Sequence, residues 1–231
     1  MARALEGDGR YQCVLSLAGR TRAPVLPGVP GRRGGFGGVI GLVGYLRAEG
    51  VGAVVDATHP FAQQMHANAA EACRVAGVPV VVVSRPAWVS GAGDRWTEVA
   101  SMAAAAAALG AAPRRVLLTV GQQELGPFRG AGWHSYLIRS VEAPEAGSMP
   151  PGARCIAARG PFTVEGERAL LERERIEVVV TKNSGGSAVA AKLEAARGLG
   201  VEVVMVARPA VPEGELVGDV AAALAWLHQV A

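Results

Sequence analysis

Short, largely apolar runs rich in β-branched residues recur along this chain, separated by alanine-rich segments. The runs at 13–17, 53–55, 80–83, 116–119, 155–157, 178–180 and 203–206 have strand length and little alternation, the pattern of strands buried on both faces. Between them the spacing predicts helices at 39–49, 61–76, 101–109, 164–174, 188–199 and 219–230. Gly50, Gly77, Gly110 and Gly200 stand where four of these must stop, since glycine takes the left-handed conformation that ends a helix. Strands that alternate with helices imply an α/β fold with parallel sheets.

The chain also repeats itself. Residues 51–87 and 176–210 each run strand, polar turn, alanine-rich helix, glycine, valine strand, and each closes on Arg-Pro-Ala. The repeat predicts two Rossmann-like doubly wound domains with a cleft between them. They divide into residues 1–97 and 98–231, with Trp96-Thr97-Glu98-Val99 as the last strand of the first sheet. Open parallel sheets bind ligands beyond the carboxyl ends of their strands. Four polar turns fall at such ends: DATHPFA (56–62), TVGQQEL (119–125), RGPF (159–162) and TKNSGG (181–186). All four are expected on one rim.

Composition narrows the chemistry. A chain of 231 residues, half of them apolar, can bury real cores. Three distant cysteines without CxxC spacing argue against a disulfide framework or thiolate metal site and for a reducing cytoplasm. The longest apolar stretch, 99–113, is too short for a membrane span, and no signal pattern opens the chain. The formal charge is only +3, and 5% aromatics without a recognisable reading module argue against nucleic acid. Arginines in turns favour a small anionic ligand instead. Only two of the 23 cationic residues are lysines, so Lys182, in a glycine-bearing turn, reads as a chemical choice.

Together DATHPFA, Arg85-Pro86-Ala87-Trp88, TVGQQEL, RGPF and TKNSGG, followed by AAKLEAAR, resemble the precorrin-6A reductases over residues 1–212. The resemblance implies an NADPH-dependent enzyme of cobalamin biosynthesis that reduces one ring double bond of a carboxylate-rich tetrapyrrole to give precorrin-6B. The N-terminal domain then carries the cofactor side and the C-terminal domain the substrate and cofactor cleft. A monomer or small homo-oligomer is expected. A cobalt-containing substrate with NADH as donor, or a non-catalytic tetrapyrrole- or nucleotide-binding remnant, are the alternatives. Family members open with a hydrophobic strand and a GGT-type turn before their first helix. This chain begins at Met1-Ala2-Arg3-Ala4-Leu5, inside that helix, so the first strand and its glycine turn are expected to be missing, through a late start site or a cut.

Roles follow residue by residue. Arg20 and Thr21, with Arg22, stand where a cofactor 2′-phosphate would be held, against the reading of a plain solvated turn. Gly37 and Gly38 let the backbone approach a cofactor or merely connect two elements, and Arg32 and Arg33 beside them suit a charged strand edge. Thr58 belongs with the cofactor and His59 with catalysis, as proton donor or as hydrogen-bond donor to a carboxylate, unless the histidine only caps its turn. Asp56 orients that turn; His66 is expected at the surface, and His134 and His228 as structural. Lys182 is the second catalytic candidate, with Asn183, Ser184 and Gly185 opening a helix whose N-terminus suits a substrate anion. A capping serine beside a solvent lysine is the competing reading. Gly121, Gln122 and Arg159 line the substrate side, Arg159 gripping a carboxylate or pairing with Glu165 or Glu167. Trp88 and Phe162 wall the ring or fill the core. No metal site is expected.

Overall fold

The computed structural model describes residues 1–18, 27–210 and 214–230. In chain order the strands are β1 (Leu15–Leu17), β2 (Gly31–Arg33), β3 (Val54–Asp56), β4 (Val80–Val83), β5 (Trp96–Val99), β6 (Arg115–Thr119), β7 (Ser135–Ser140), β8 (Arg154–Ala157), β9 (Val178–Lys182), β10 (Glu202–Val206) and β11 (Glu215–Val217). The helices are α1 (Gly38–Ala48), α2 (Gln63–Ala76), α3 (Met102–Ala108), α4 (Val164–Arg173), α5 (Ala191–Leu199) and α6 (Val220–Val230). Met1 is followed by a short 3-10 turn, Ala2–Ala4. Among the described residues no helix is long and apolar enough to cross a membrane.

Two compact units emerge, Met1–Arg85 with Ala210–Ala231, and Pro86–Pro209. The chain therefore passes between units at both Arg-Pro-Ala repeats, where proline fixes φ. This differs from the expected division at residue 97. Trp96–Val99 does not close the first sheet: β5 pairs in parallel with β10, Trp96 opposite Val203. The chain end returns instead to the first unit, where β11 pairs with β4, Leu216 opposite Val82.

In the first unit β1 and β2 form one parallel pair and β11-β4-β3 a parallel sheet. Successive valines of β4 face opposite ways, as strand pleating requires. Val80 packs with Leu42, Val43 and Leu46 of α1 and Ala69, Ala72 and Cys73 of α2. Val81 packs with Leu5 and with Trp226 and Leu227 of α6. Helices thus cover both faces.

The second unit is a six-stranded parallel sheet in the order β5-β10-β9-β6-β7-β8. Its central strands are buried through their middles, which explains why Val178, Val179 and Val180 show no polar alternation. Ser101 Oγ caps α3 through Ala104 N at 3.1 Å, and Thr163 Oγ1 caps α4 through Gly166 N at 3.1 Å. The strand order reverses at the middle: β6 leads away to β7, whereas β9, returning to lie on the other side of β6, leads to β10. Adjacent strands whose connections diverge leave a crevice at their carboxyl ends, the usual ligand position in such sheets. Here it lies between Thr119 and Lys182.

Candidate functional site

Three of the four predicted turns, after β6, β8 and β9, leave the carboxyl edge of this one sheet. The fourth, DATHPFA, follows β3 and belongs to the other unit's sheet, which corrects the expectation of one shared rim.

At the crevice itself Lys182 Nζ donates to both oxygens of Glu124, at 3.0 and 2.8 Å. Glu124 Oε2 also accepts from Gly121 N at 2.8 Å, so one carboxylate organises the turn after β6 and fixes the ammonium after β9. Both side chains are partly buried, at 15% and 28% exposure, so the pair is screened less than a surface pair. Gln122 is turned away from the crevice: its amide donates to Glu142 O at 2.7 Å and Ser140 Oγ at 3.4 Å.

The turn after β9 is tied down closely. Asn183 exchanges two hydrogen bonds with the Trp88 backbone, Nδ2 to the carbonyl and N–H to Oδ1, both 2.8 Å. Its backbone N–H reaches Val206 O at 2.9 Å and its carbonyl accepts from Arg208 Nε at 2.7 Å. Asn183, expected to contact substrate, ties this turn to Trp88 and Arg208. Trp88 Nε1 donates to Gly186 O at 3.1 Å, and Phe162 N to Ala188 O at 3.4 Å. Gly185 has φ +63°, and a Cβ there would overlap the Pro86 carbonyl and the Arg208 guanidinium, so only glycine fits. Ser184 is buried, and its N–H bonds back to Lys182 O at 2.7 Å. It caps no helix. A 3-10 turn, Ser187–Val189, comes first and α5 starts only at Ala191, later than the sequence suggests.

In the first unit Asp56 ends β3 in a buried network. Its Oδ1 accepts from Thr58 N at 3.0 Å and Thr58 Oγ1 at 2.7 Å, while Oδ2 lies 2.6 Å from His66 Nδ1. His66, 4% exposed, was expected at the surface; a carboxylate ten residues earlier draws it inside. Its Nε2 reaches the His59 carbonyl at 3.2 Å, so α2 braces the turn that presents His59. The His59 ring is exposed, and its Nδ1 accepts from Phe61 N at 3.2 Å, which puts the ring hydrogen on Nε2.

The family model described as precorrin-6x reductase CbiJ/CobK matches residues 1–228. The chain belongs to this reductase family. A precorrin-6A reductase from Rhodobacter capsulatus is 50% identical over 227 residues, 98% of this chain and 90% of the relative. One from Rhodococcus erythropolis is 46% identical, covering 98% of this chain and 92% of the relative. A cobalt-precorrin-6A reductase from Priestia megaterium is 32% identical, covering 74% of this chain and 70% of the relative. The solved structure titled CobK precorrin-6A reductase superposes with a TM-score of 0.93 at 49% identity, covering all of this chain and 90% of that one.

Within this reductase fold the remaining candidates are placed unevenly. Gly37 and Gly38 lead into α1 with φ of 81° and 77°, and a Cβ at either would meet no atom within 4 Å. Backbone shape and open space, not packing, call for glycine there. Arg32 is no mere edge charge: its guanidinium holds Gly34 O at 3.2 Å and Gly35 O at 3.1 Å and stacks 3.8 Å from the Phe36 ring centre. Arg159 is exposed after β8, and among the described residues it has no ion-pair partner, because Glu167 pairs with Arg139 instead. Arg20, Thr21 and Arg22 lie outside the described residues. His134 and His228 are structural, the first accepting from Arg114 N at 3.2 Å and the second stacked on Tyr11 at 6.0 Å.

Two participants escape the sequence. Glu124 could have been suspected as the only carboxylate in TVGQQEL. Lys192, the second lysine, is 3% exposed beneath Trp88, with burial pushing its pKa down to about 8, a nearby Arg139 adding to the fall and Glu167 opposing it.

Proposed function

We propose that this chain is a precorrin-6A reductase of cobalamin biosynthesis that uses NADPH to saturate one ring double bond, giving precorrin-6B. The observation that carries this reading is near-complete coverage at 50% and 46% identity by relatives named for precorrin-6A. The relative named for the cobalt-containing ring stands at 32% over 74% of the chain, which favours the metal-free substrate. Three free cysteines among the described residues suit a reducing cytoplasm.

A reductase requires a reduced cofactor, and the first unit has features that suit a dinucleotide. Gly37 and Gly38 offer backbone without Cβ at the entry to α1, Thr58 stands on its Asp56 support, and Arg20 with Thr21 supplies the cation and hydroxyl for a 2′-phosphate. The bound nicotinamide supplies the hydride. The second unit suits a polyanionic ring: Lys182 is fixed at the switch point, and Arg159 offers a planar fork for a carboxylate. His59, with hydrogen on Nε2, offers a hydrogen bond to a substrate carboxylate. Positioning accounts for most of the rate.

Anaerobic turnover of precorrin-6A, followed through nicotinamide absorbance and the mass of the product, tests the assignment. NADPH and NADH are compared, and the cobalt-containing ring serves as the competing substrate. Equal or better turnover of the cobalt ring would overturn the substrate choice, and tetrapyrrole binding without cofactor binding would overturn the enzyme.

A further inference from the structure

The second unit buries three charged side chains on one face of its sheet. Arg139 projects from β7, Glu167 from α4 and Lys192 from α5, at 8%, 2% and 3% exposure. Arg139 and Glu167 form an ion pair, yet Glu167 Oε2 has no hydrogen-bond partner among the described residues. Such a cluster is costly to bury, and apolar residues of similar volume would usually be as stable or more so. Its surroundings indicate what it is for. Arg139 lies 4.1 Å from the centre of the Phe162 ring, and Lys192 Nζ lies 4.9 Å from that of Trp88 while donating to Val189 O at 2.8 Å. Trp88 carries Asn183 and Gly186, and Phe162 N carries Ala188. Every cation in the cluster therefore bears on the turn that follows Lys182.

We propose that Lys192 is a positioning residue of the reductase: its ammonium, seated under Trp88 and on the Val189 carbonyl, holds the 183–189 turn in the shape that receives the ligand. This rests on the reading that this turn binds substrate. The charged groups facing Lys192 are Arg139 from β7 and Glu167 from α4, one repelling and one attracting the ammonium. Because burial sets its titration near pH 8, the cation that grips Trp88 is present at neutral pH and lost in mild alkali. Ligand affinity then falls over a range in which removal of a buried charge makes the fold more stable. A lysine serving stability alone would move both quantities together.

The test uses the full chain, its K192R, K192M and W88F variants, and pH values on either side of about 8. Wild-type tryptophan emission without ligand should show a one-proton transition there. KM for precorrin-6A should rise about three- to tenfold across it, the loss of one desolvated cation–aromatic contact, with little change in kcat. K192R keeps its charge and should lack both changes, K192M should show the raised KM at every pH, and W88F should lack the emission change. An emission transition that persists in K192R, a wild-type KM in K192M, or a KM flat across the wild-type transition would each overturn the positioning role. If precorrin-6A proves not to be the substrate, the emission transition and its loss in K192R still read the Lys192–Trp88 coupling, so the two failures are distinguishable.

Discussion

Replacing Glu124 with glutamine separates what the Lys182–Glu124 pair does for the fold from what it does for the ligand. The amide keeps one oxygen, at the Oε2 position, for Gly121 N and Lys182 Nζ, while its NH2 replaces the Oε1 acceptor, so the negative charge goes together with one of the two contacts to Lys182. At 2.8 and 3.0 Å the gross attraction is about 6 kcal/mol for an effective dielectric of about 20. Desolvation and side-chain entropy cancel most of it, which leaves about 1–2 kcal/mol for a partly buried pair. E124Q should therefore lower stability by that amount in chemical denaturation. It should also strengthen binding of the carboxylate-rich ring, because the Lys182 charge is no longer neutralised. One unbalanced charge at about 4 Å in a solvated crevice is worth about 1 kcal/mol, or about fivefold in KM for precorrin-6A. The gain should shrink as ionic strength approaches about 1 M. If E124Q raises KM at every salt concentration while stability is unchanged, Glu124 itself contacts the substrate and the reasoning fails.

Gly185→Ala places a Cβ against the Pro86 carbonyl and the Arg208 guanidinium in a left-handed conformation, and should cost about 2–3 kcal/mol in urea denaturation; a cost below about 1 kcal/mol would mean that the turn yields. Asp56→Asn keeps an acceptor for Thr58 but leaves His66 without its carboxylate, and should cost about 3 kcal/mol, whereas an unchanged midpoint would show that the buried pair holds nothing. Arg20→Ala should raise KM for NADPH much more than for NADH; equal effects would remove the 2′-phosphate assignment. For Lys192 the folded state disfavours the proton that the unfolded chain retains up to about 10.5, so stability rises with pH between about 8 and 10.5. The total is about 3 kcal/mol relative to K192M, read from denaturation midpoints at successive pH values, and parallel profiles for the two proteins would refute it.

What the sequence makes legible here is local, and what it hides is partnership over distance. Val178–Val180 announce a strand because both of its faces are buried, Val80–Val83 because helices cover both of its faces, and Gly77 and Gly200 announce helix ends by a conformation that other residues resist, with φ of 71° and 66°. The turns at the strand ends follow from those elements. Trp96–Val99 reads correctly as extended, but its partner β10 lies about a hundred residues on, and nothing local names it. β7 is obscured by Arg139 near its carboxyl end, a charge that enters the core only because Glu167 arrives from α4. Likewise Glu124 and Lys182 are 58 residues apart, and His66 belongs inside only because Asp56 is there first.

Lys192 is the instructive case, because a local signal existed. The scarcity of lysine that singles out Lys182 applies to it equally. Its helix also places it on the apolar stripe, since residues 192, 195, 196 and 199 follow the three-four spacing of a buried face and the middle two, Ala195 and Ala196, are buried. A rare cation in phase with a buried stripe must find a carboxylate, a carbonyl or an aromatic face inside the protein, and Lys192 takes the last two. Helical phase combined with residue scarcity therefore points to buried functional charge where motif spacing does not, and in this chain it points at the support beneath the turn that carries the other lysine.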